Sequence, residues 1–468
     1  MNKKTKIMAT VGPASESEEV LTQMMEQGVN IFRFNLKHNV FEWHKKTINK
    51  VKNIASKLGI EVGILIDLQG PEIRIETDKG EDVEIEAEES LFIGNKFIKD
   101  KKVIKIDPVL AIKNIKREDY VYLNNGELKL KVIKKSKKLI ELKSESSGII
   151  KNRKSLNMVS ENNNLPILAE RDLEVLARLN LINPDFVALS FVRNKKDIEI
   201  LKALLQKIDN KIKVVSKIEN LEALKNINEI IKISDGIMIA RGDLGIEVPI
   251  RELAFWQKKI IDLCRKESKP VIVATQMLGS MAQNLQPTRA EATDVSNAVF
   301  DGTDVLMLSE ETSTGKHPVR VVKEMSSIAS FCENAKEIRD ITIVTETPTE
   351  VLVDAAVKII LNNKNLKIKA AVIFTESGNT ARIFSRYRLN VPIVAMTDEQ
   401  ETVKGLTMSY GVESYFKEFN ETSFRMPKSL IKNISKIVTL NTGDTLLVIH
   451  GNNWIQSGAT SDISLVTV

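Results

Sequence analysis

The 468-residue sequence has little of what marks secreted, membrane-spanning or metal-clustered proteins. Its only two cysteines, Cys264 and Cys332, exclude a disulfide framework and a Cys/His metal cluster, and they predict reduced thiols in a cytoplasmic protein. No run of about 18 apolar residues is present, so a membrane-spanning helix is not expected. The N-terminal MNKKTKIMATVG leads directly into a strand pattern, without the apolar segment and cleavage site of a signal peptide.

The charge balance gives no strong indication of a nucleic-acid partner. A net charge of +6 is small beside 68 basic and 62 acidic residues, so we expect a solvated, mixed-charge surface. The apolar fraction of 43% and charged fraction of 28% are typical of a globular protein. The length predicts about two to four domains.

Eight short runs rich in Val, Ile and Leu predict strands, and most are followed by an amphipathic helical stretch. Near-continuous apolar strands with helical crossovers indicate a parallel sheet covered on both faces. Eight such units favour a closed (β/α)8 TIM barrel over an open doubly wound sheet. The runs are 5–12, 29–35, 61–68, 185–192, 213–220, 235–243, 270–277 and 304–311.

Two further domains are predicted from changes in this pattern. After GPEIRI the helical signal stops, and short alternating segments predict a small β-barrel lid inserted in a βα-loop, on the face where barrels hold active sites. Beyond about residue 340, the helix TEVLVDAAVKIILNN and the strands KAAVIFTE, VPIVAMT and TLLVIHG predict a C-terminal α/β domain with a mostly parallel sheet. The predicted bounds are 1–74 with 160–338 for the barrel, 75–159 for the lid and 339–468 for the C-terminal domain.

Polar residues stand at the C-terminal end of every predicted barrel strand. A single polar tip would be interpreted as a solvated loop residue. Eight of them predict a charged site, because charges inside a barrel are costly unless they are paired or bind a ligand. The tips are Thr10; Arg33 and Asn35; Asp67; Ser190 and Arg193; Lys217 and Glu219; Arg241 and Asp243; Thr275; and Ser309 with Glu311.

The composition of these tips indicates a metal and a phosphoryl group. Glu219 and Asp243 suit Mg²⁺ or Mn²⁺ with open water positions, and cations beside such a metal neutralise a phosphoryl group. No nucleophile–base pair is evident, so we expect electrostatic positioning of an anionic substrate rather than covalent catalysis. The cations expected around the metal are Arg33, Arg193, Lys217 and Arg241.

The chain resembles the pyruvate kinase family over nearly its whole length. The motifs that carry the resemblance, in the family's order, are TKIMATVGPAS, GPEIR, SKIEN, ARGDLGIE, TQML, PTRAEATDVSNAVFDG, FTESGNTAR and NVPIVAMT. The resemblance implies a barrel, a β-rich lid and a C-terminal effector domain. It also implies phosphoryl transfer from phosphoenolpyruvate to ADP, giving pyruvate and ATP, with Mg²⁺ (or Mn²⁺), by a homotetramer.

The resemblance assigns roles to individual residues. Lys217 would stabilise the phosphoryl group in flight, and Glu219 and Asp243 would hold the divalent metal. Thr275 and Gly242 would contact the substrate, near the face where the enolate is protonated. Lys154 would reach the nucleotide when the lid closes. The residues implied at the transferring phosphate or the nucleotide are Arg33, Asn35, His38, Arg74 and Lys154.

A potassium site is implied at Asn35, Asp67 and the Leu68 carbonyl, together with a serine that is Lys37 in this chain. We hypothesise that Lys37 replaces the monovalent cation, because an ammonium carries the same charge without the entropic cost of capturing an ion. Glu72 argues the other way, since this residue type accompanies potassium dependence in the family. The alternative is that Lys37 faces solvent or the nucleotide phosphates.

Two other positions depart from the family pattern, Gln69 in DLQGPEIR and Glu310 in LSEET. The C-terminal loop TESGNT resembles the family's phosphate-binding effector loop, and a plain helix cap is the alternative interpretation. The candidate effector residues are Thr375, Ser377, Gly378 and Thr380.

Two rival functions stay open from the sequence. A carbon–carbon lyase acting on phosphoenolpyruvate or pyruvate enolate would share the acids and the metal but would need neither Lys217 nor a nucleotide, so ADP dependence separates it from a kinase. A non-catalytic paralogue is motivated by the changes at Lys37, Gln69 and Glu310. Such a protein has no physical reason to keep a buried lysine beside two acids.

Overall fold

The computed structural model describes residues 3–136, 139–158, 165–208, 211–335, 338–418, 434–435, 438–451 and 460–468. Its strands in chain order are β1 (Lys6–Thr10), β2 (Val29–Asn35), β3 (Gly63–Asp67), β4 (Arg74–Glu76), β5 (Val83–Ile85), β6 (Ser90–Gly94), β7 (Val103–Asp107), β8 (Tyr120–Leu123), β9 (Leu128–Lys135), β10 (Leu139–Ser144), β11 (Gly148–Ile150), β12 (Leu156–Met158), β13 (Phe186–Leu189), β14 (Lys213–Ile218), β15 (Gly236–Ala240), β16 (Val271–Ala274), β17 (Val305–Leu308), β18 (Ile368–Phe374), β19 (Ile393–Thr397), β20 (Val412–Phe416), β21 (Thr445–Gly451) and β22 (Thr460–Thr467).

Some of the helices begin at a residue whose side chain caps them. Ser17 accepts a hydrogen bond from Val20 N at the start of the first helix, and Thr288 with Glu291 forms a capping box at the start of the ninth. The helices are α1 (Glu18–Glu26), α2 (Phe41–Leu58), α3 (Glu170–Leu176), α4 (Lys195–Leu205), α5 (Leu221–Lys225), α6 (Ile227–Ile233), α7 (Arg241–Glu247), α8 (Ile250–Lys266), α9 (Arg289–Phe300), α10 (Glu310–Ser313), α11 (Pro318–Asn334), α12 (Pro348–Asn362), α13 (Asn379–Ser385) and α14 (Gln400–Gly405).

Eight parallel strands form a closed barrel in the order β1-β17-β16-β15-β14-β13-β3-β2. Each of the eight predicted runs contributes one strand, so the predicted TIM barrel is confirmed. Outward-facing side chains such as Phe32 and Phe34 are buried beneath the surrounding helices. Inward-facing side chains such as Met8, Leu65 and Val215 fill the interior.

Alternate residues of each barrel strand face the interior. These inward-facing residues form an apolar layer and, at the C-terminal ends of the strands, a polar layer. On β2, Ile31 lies in the apolar interior cluster, and Arg33 is the next residue on the same face. On β14, Val215 is followed in the same way by Lys217. The charged tips are therefore the last inward positions of strands whose earlier inward positions are apolar.

The all-β insertion between β3 and β13 is confirmed. Seven strands pair in the order β12-β8-β9-β10-β6-β7-β4, and β5 pairs with β11 in a separate sheet. The first and last strands of this order, β12 and β4, also lie side by side. Ile75 N donates to Lys154 O (3.0 Å), and Leu156 N donates to Ile73 O (2.8 Å). The lid is therefore a small barrel with its own apolar core.

The C-terminal domain has a five-stranded sheet in the order β20-β19-β18-β21-β22. Among the described strands of this sheet, only β22 runs antiparallel to its neighbour, which confirms the mostly parallel sheet. The predicted helix and three strands are α12, β18, β19 and β21. The strands β20 and β22 were not predicted, because their exposed, mixed sequences lack a clear apolar pattern.

The C-terminal domain closes the floor of the barrel. Met408, on the short 3-10 segment Leu406–Met408, is 1% exposed and belongs to the barrel's interior cluster. Nearby, Tyr410 N donates to the buried Asp304 carboxylate at the base of β17 (3.0 Å). The two domains therefore share one packed core at the end of the barrel opposite the polar tips.

The predicted domain bounds stay predictions, and the predicted lid end at residue 159 lies outside the described residues. Within the described ranges, no helix combines the length and the apolar character that crossing a membrane requires. Both cysteines are buried free thiols, and burial raises the pKa of Cys264.

Replacing Met408 with alanine should leave a cavity in the barrel floor and lower the free energy of unfolding by about 2–4 kcal/mol. The matched variant Met408→Leu conserves volume and should cost less than about 1.5 kcal/mol. Urea unfolding followed by circular dichroism measures both. An alanine variant as stable as the wild type would show that Met408 does not seal the floor.

Candidate active site

The centre of the site is Lys217, whose ammonium is buried between two carboxylates at the barrel mouth. Its Nζ lies 2.9 Å from Glu219 Oε1 and 3.4 Å from Asp67 Oδ1, and it donates to Ser190 Oγ at 2.8 Å. The Lys217 side chain is 7% exposed. Strands β3, β13 and β14 are neighbours in the barrel, so their tips bring these groups together.

Arg33 forms the second cation of this cluster. Its Nε donates to Asp67 Oδ2 (2.8 Å), its Nη2 lies 2.6 Å from the same oxygen, and its Nη1 donates to Thr10 Oγ1 (2.8 Å). The Thr10 hydroxyl in turn donates to Leu308 O. Asp67 therefore stands between Arg33 and Lys217, and it fixes the position of both cations.

The opposite charges in this cluster stabilise one another's ionised forms. Burial alone would lower the pKa of Lys217, but the negative charges of Asp67 and Glu219 outweigh burial and raise that pKa above its usual value. Burial would raise the pKa of Asp67, but Lys217 and Arg33 outweigh it and lower that pKa. Lys217 and Asp67 are therefore both charged at neutral pH.

Glu219 and Asp243 form a donor set that suits a hard divalent cation. Burial raises the pKa of Glu219; Lys217 opposes this rise and the negative charge of Asp243 adds to it. A cation between the two carboxylates would remove their repulsion. Among the described residues no group of three or more His, Cys, Asp and Glu surrounds a possible metal position. Mg²⁺ commonly takes one or two carboxylates with water and substrate oxygens, so the residues fit it.

The structure gives specific contacts to Ser190, one of the predicted strand tips, and to Phe191, which the sequence did not single out. Ser190 Oγ donates to Leu68 O (2.8 Å) while it accepts from Lys217, which makes Ser190 a positioning residue for the lysine. Phe191 has φ of +56° and donates its backbone N–H to Glu219 Oε2 (2.6 Å). A bulky residue in this backbone region is unusual and marks local strain at the site.

Thr275 lies at the tip of β16 in a similarly uncommon backbone conformation, with φ of +68°. Its hydroxyl accepts from Gly242 N (2.8 Å) and donates to Ala274 O (2.6 Å). The hydrogen bond between Thr275 and Gly242 joins the tips of β15 and β16. The two predicted substrate residues are therefore adjacent.

Two of the four predicted cations, Arg193 and Arg241, have other carboxylates as their partners in the structure, and their place around the metal stays a prediction. Arg193 forms a bidentate pair with Asp197 and donates to Leu165 O. Arg241 is 7% exposed and donates to Asp294 and to Thr275 O. Both arginines hold neighbouring elements in place, because helical acids that a strand pattern does not reveal neutralise them.

A second cationic group surrounds His38. Burial lowers the pKa of His38, and the charges of Arg74, Lys37 and Arg33 lower it further, so the imidazole is neutral at pH 7. Arg74 Nη2 lies 3.2 Å from Glu72 Oε2. The structure thus brings together the barrel residues predicted at the nucleotide. Lys154 is exposed, and its carbonyl pairs with Ile75 next to Arg74 at the root of the lid.

Comparison with known proteins settles the family. Two family models match the chain, "Pyruvate kinase, barrel domain" over residues 2–322 and "Pyruvate kinase, alpha/beta domain" over residues 350–466. The chain belongs to the pyruvate kinase family. The resemblance, the fold class and the phosphotransferase class predicted from the sequence are confirmed.

Similar pyruvate kinases span nearly the whole chain. Those of Bacillus licheniformis and Staphylococcus aureus (strain MRSA252) are 38% and 36% identical to it, over 96% and 98% of this chain and 78% and 79% of theirs. A crystal structure of a pyruvate kinase from Cryptosporidium parvum aligns with a TM-score of 0.87 at 32% identity. The alignment covers 99% of this chain and 96% of that one.

Lys37, where the pyruvate kinase family usually has serine, directs its ammonium into the site. Its Nζ lies 3.5 Å from Glu72 Oε2 and its side chain is 20% exposed. Its charge helps to lower the pKa of Asp67 and opposes the rise at Glu219. The Asn35 side chain accepts from Lys37 N (3.1 Å). The Lys37 ammonium is therefore paired with Glu72, and whether it replaces the ion or faces the nucleotide phosphates stays a prediction.

The other two positions that depart from the pyruvate kinase pattern are Gln69 and Glu310. The backbone N–H groups of Gln69 and Gly70 donate to the buried Asp172 (2.8 and 2.9 Å), a residue the sequence analysis missed although it lies in the acidic first turn of α3. Glu310 is the exposed first residue of α10. The neighbouring Glu311 is 1% exposed and accepts from Ser309 N (2.6 Å).

The hydroxyls of the candidate effector loop are partly engaged within the protein. Thr375 Oγ1 accepts from Gly378 N (3.0 Å) in the turn before α13, whose N-cap residue is Gly378. Thr380 shares a hydrogen bond with Thr460 (3.0 Å), and Ser377 is exposed. Effector binding at this loop stays a prediction.

Asp67→Asn removes the negative charge that Arg33 and Lys217 share and leaves both cations buried. It should lower the free energy of unfolding by about 3 kcal/mol. The matched control is Glu18→Gln, which removes a carboxylate that pairs with Lys57 on the surface and should change stability little. Thermal unfolding of both variants measures the difference. Equal stability of the two would contradict the pairing described for Asp67.

Proposed function

We propose that this protein transfers the phosphoryl group of phosphoenolpyruvate to ADP, giving pyruvate and ATP in the last step of glycolysis in the cytoplasm. The observation that carries the proposal is the buried Lys217 ammonium, held between Asp67 and Glu219 at the barrel mouth. A fixed positive charge in a water-poor site stabilises negative charge that moves with the phosphoryl group.

Different residues of the site bind the substrate, the metal and the nucleotide. Lys217 and Arg33 bind the transferring phosphate, and their rigid pairing with Asp67 keeps both in position without reorganisation. Glu219 and Asp243 would hold Mg²⁺, or Mn²⁺, which supplies further charge neutralisation when bound. Gly242 and Thr275 border the enolate.

The nucleotide occupies the space between barrel and lid. Arg74 and the neutral His38 line its barrel side with Asn35, and Lys154 approaches from the lid. A cleft of about 240 Å³, whose walls include Glu72, Phe191 and Leu156, lies between the two domains beside the charged cluster. Closure of the lid over this cleft excludes water from the reacting phosphate.

We further propose that Lys37 supplies the monovalent positive charge of the site. In the potassium site implied by the family, the Leu68 carbonyl accepts from Ser190, and the Asn35 oxygen accepts from Lys37 N. The Lys37 ammonium adds a charge within electrostatic reach of Asp67 and Glu219. Lys37 thus already supplies the charge that K⁺ would bring, and catalysis should not require the ion.

A Lys217→Met variant should lower kcat by about a thousandfold or more, because it removes the central charge of the transition state. Pyruvate formation from phosphoenolpyruvate and ADP with Mg²⁺ measures the effect. The surface variant Lys57→Met serves as the control and should keep wild-type activity. Substantial activity in a folded Lys217→Met protein would remove the role assigned to Lys217.

The wild-type protein should turn over equally fast in K⁺ and in tetramethylammonium. Lys37→Ser, which restores the family's hydroxyl, should make the rate depend on K⁺ by about tenfold or more. Steady-state rates in the two salts at equal ionic strength give the comparison, with Lys57→Ser as the control. A wild-type rate that falls sharply without K⁺ would refute the substitution of the ion by Lys37.

We also propose a homotetramer, as the family resemblance implies. Large apolar side chains are exposed on the barrel helices α8 and α11 and on α12 of the C-terminal domain, which supports burial against other copies. Light scattering should give four times the mass of one chain, and a monomer would contradict this assembly. These side chains include Ile250 (77% exposed), Phe255 (59%), Phe331 (75%) and Val351 (56%).

A further inference from the structure

A second cationic cleft lies at the junction of the barrel floor and the C-terminal domain, at the end of the barrel opposite the catalytic cluster. Its enclosed part, about 10 Å³, holds little more than one water, and the part open to solvent brings the empty space to about 210 Å³. We call it the junction cleft. Its walls are Arg265, Ser268, Lys269, Pro270, Asp304, Arg382, Ser385, Arg386, Arg388 and Ser409.

Several buried donors in the junction cleft have no hydrogen-bond partner among the described residues. They are Arg265 Nε, Arg386 Nε, Arg386 Nη2 and the Ser409 hydroxyl. Arg386 is 1% exposed, Arg265 is 3% exposed and Ser409 is 1% exposed. Buried guanidinium N–H groups without an acceptor are costly, so a ligand with acceptor atoms is expected beside them.

The cleft also carries an excess of positive charge. Five cations and a single carboxylate line it. Asp304 is already paired with Arg388 (2.7 Å), and Arg386 Nη1 with Glu350 (2.7 Å). Burial and, after it, the nearby charge of Arg388 lower the pKa of Arg265 to about 10. Waters alone would satisfy the free donors but would leave this repulsion in place.

We propose that the junction cleft binds a phosphate-type oxyanion, either free or as the phosphate group of a small metabolite. One oxygen occupies the enclosed part and accepts from Arg386 and Arg265, while the remaining oxygens lie in the open part. Arginine N–H groups and a hydroxyl match the acceptors of such an anion. This site is separate from the catalytic residues and does not depend on the proposed function.

The junction cleft is lined by residues of both the barrel and the C-terminal domain, so an anion bound in it would contact both. Arg265 lies in the last turn of α8 and Asp304 precedes β17, so both belong to the barrel, while Arg386 and Arg388 follow α13 in the C-terminal domain. An anion that contacts both sets links the two domains. Binding should therefore stabilise their contact, and the folded protein should unfold at a higher temperature when the anion is present.

Crystals soaked in selenate should show an anomalous peak within hydrogen-bond distance, about 3 Å, of Arg386 Nε. Selenate bound only elsewhere in the crystal would overturn the proposal. In solution, inorganic phosphate should raise the Tm by about 2 °C relative to chloride at equal ionic strength. A larger rise with ribose 5-phosphate at the same concentration would identify an esterified phosphate as the better ligand.

The variant Arg386→Lys keeps a positive charge beside Glu350 but removes the two nitrogens, Nε and Nη2, that have no partner. It should lower the apparent phosphate affinity about tenfold or more, because charge-assisted hydrogen bonds are lost. Arg320→Lys, on the surface of α11, is the matched control and should behave as wild type. Ser409→Ala provides a milder second test should Arg386→Lys fail to fold. An unchanged phosphate response in both cleft variants would overturn the proposal, since the response would then come from another site.

Discussion

The structure depends on a buried ammonium, that of Lys217, which would be unstable without two carboxylates beside it. Desolvation of a lysine disfavours its charge, yet Asp67 and Glu219 hold it ionised. Asp67 ends β3 and Glu219 follows β14, so the lysine depends on neighbouring barrel strands that lie side by side. Ser190 accepts a hydrogen bond from Lys217, and Arg33 donates one to Asp67. The chemistry of the site and the pairing of these barrel strands are therefore one constraint.

The rest of the architecture supports this cluster from two sides. Below it, apolar inward side chains fill the barrel, and Met408 of the C-terminal domain seals the floor. Above it, the first strand of the lid sheet is β4 (Arg74–Glu76), and the nearby Glu72 pairs with both Arg74 and Lys37. The pairing at Glu72 connects the root of the lid to the charges at the barrel mouth. A low-polarity floor and a closing lid both strengthen electrostatic interactions at the cluster between them.

The period-two pattern of the strands was sufficient to predict the barrel and most of its charged tips. In NIFRFNLKHN it separated Phe32 and Phe34, which pack outward, from Arg33, which points inward. The same pattern could not assign Arg193 and Arg241, because their partners Asp197 and Asp294 lie on helices. Nor could it reveal the strained backbone of Phe191, which depends on a contact with Glu219. Local periodicity predicts which face a side chain occupies, whereas its partner depends on tertiary structure.

The most direct test of the account is the stoichiometry of the reaction catalysed by the wild-type protein. Phosphoenolpyruvate, ADP and Mg²⁺ are supplied, and pyruvate and ATP are measured in the same sample. The account predicts equal amounts of the two products and no pyruvate when ADP is omitted, because phosphoryl transfer and enolate release are one event at Lys217. Pyruvate formed without ATP, or no product from a folded protein, would contradict it.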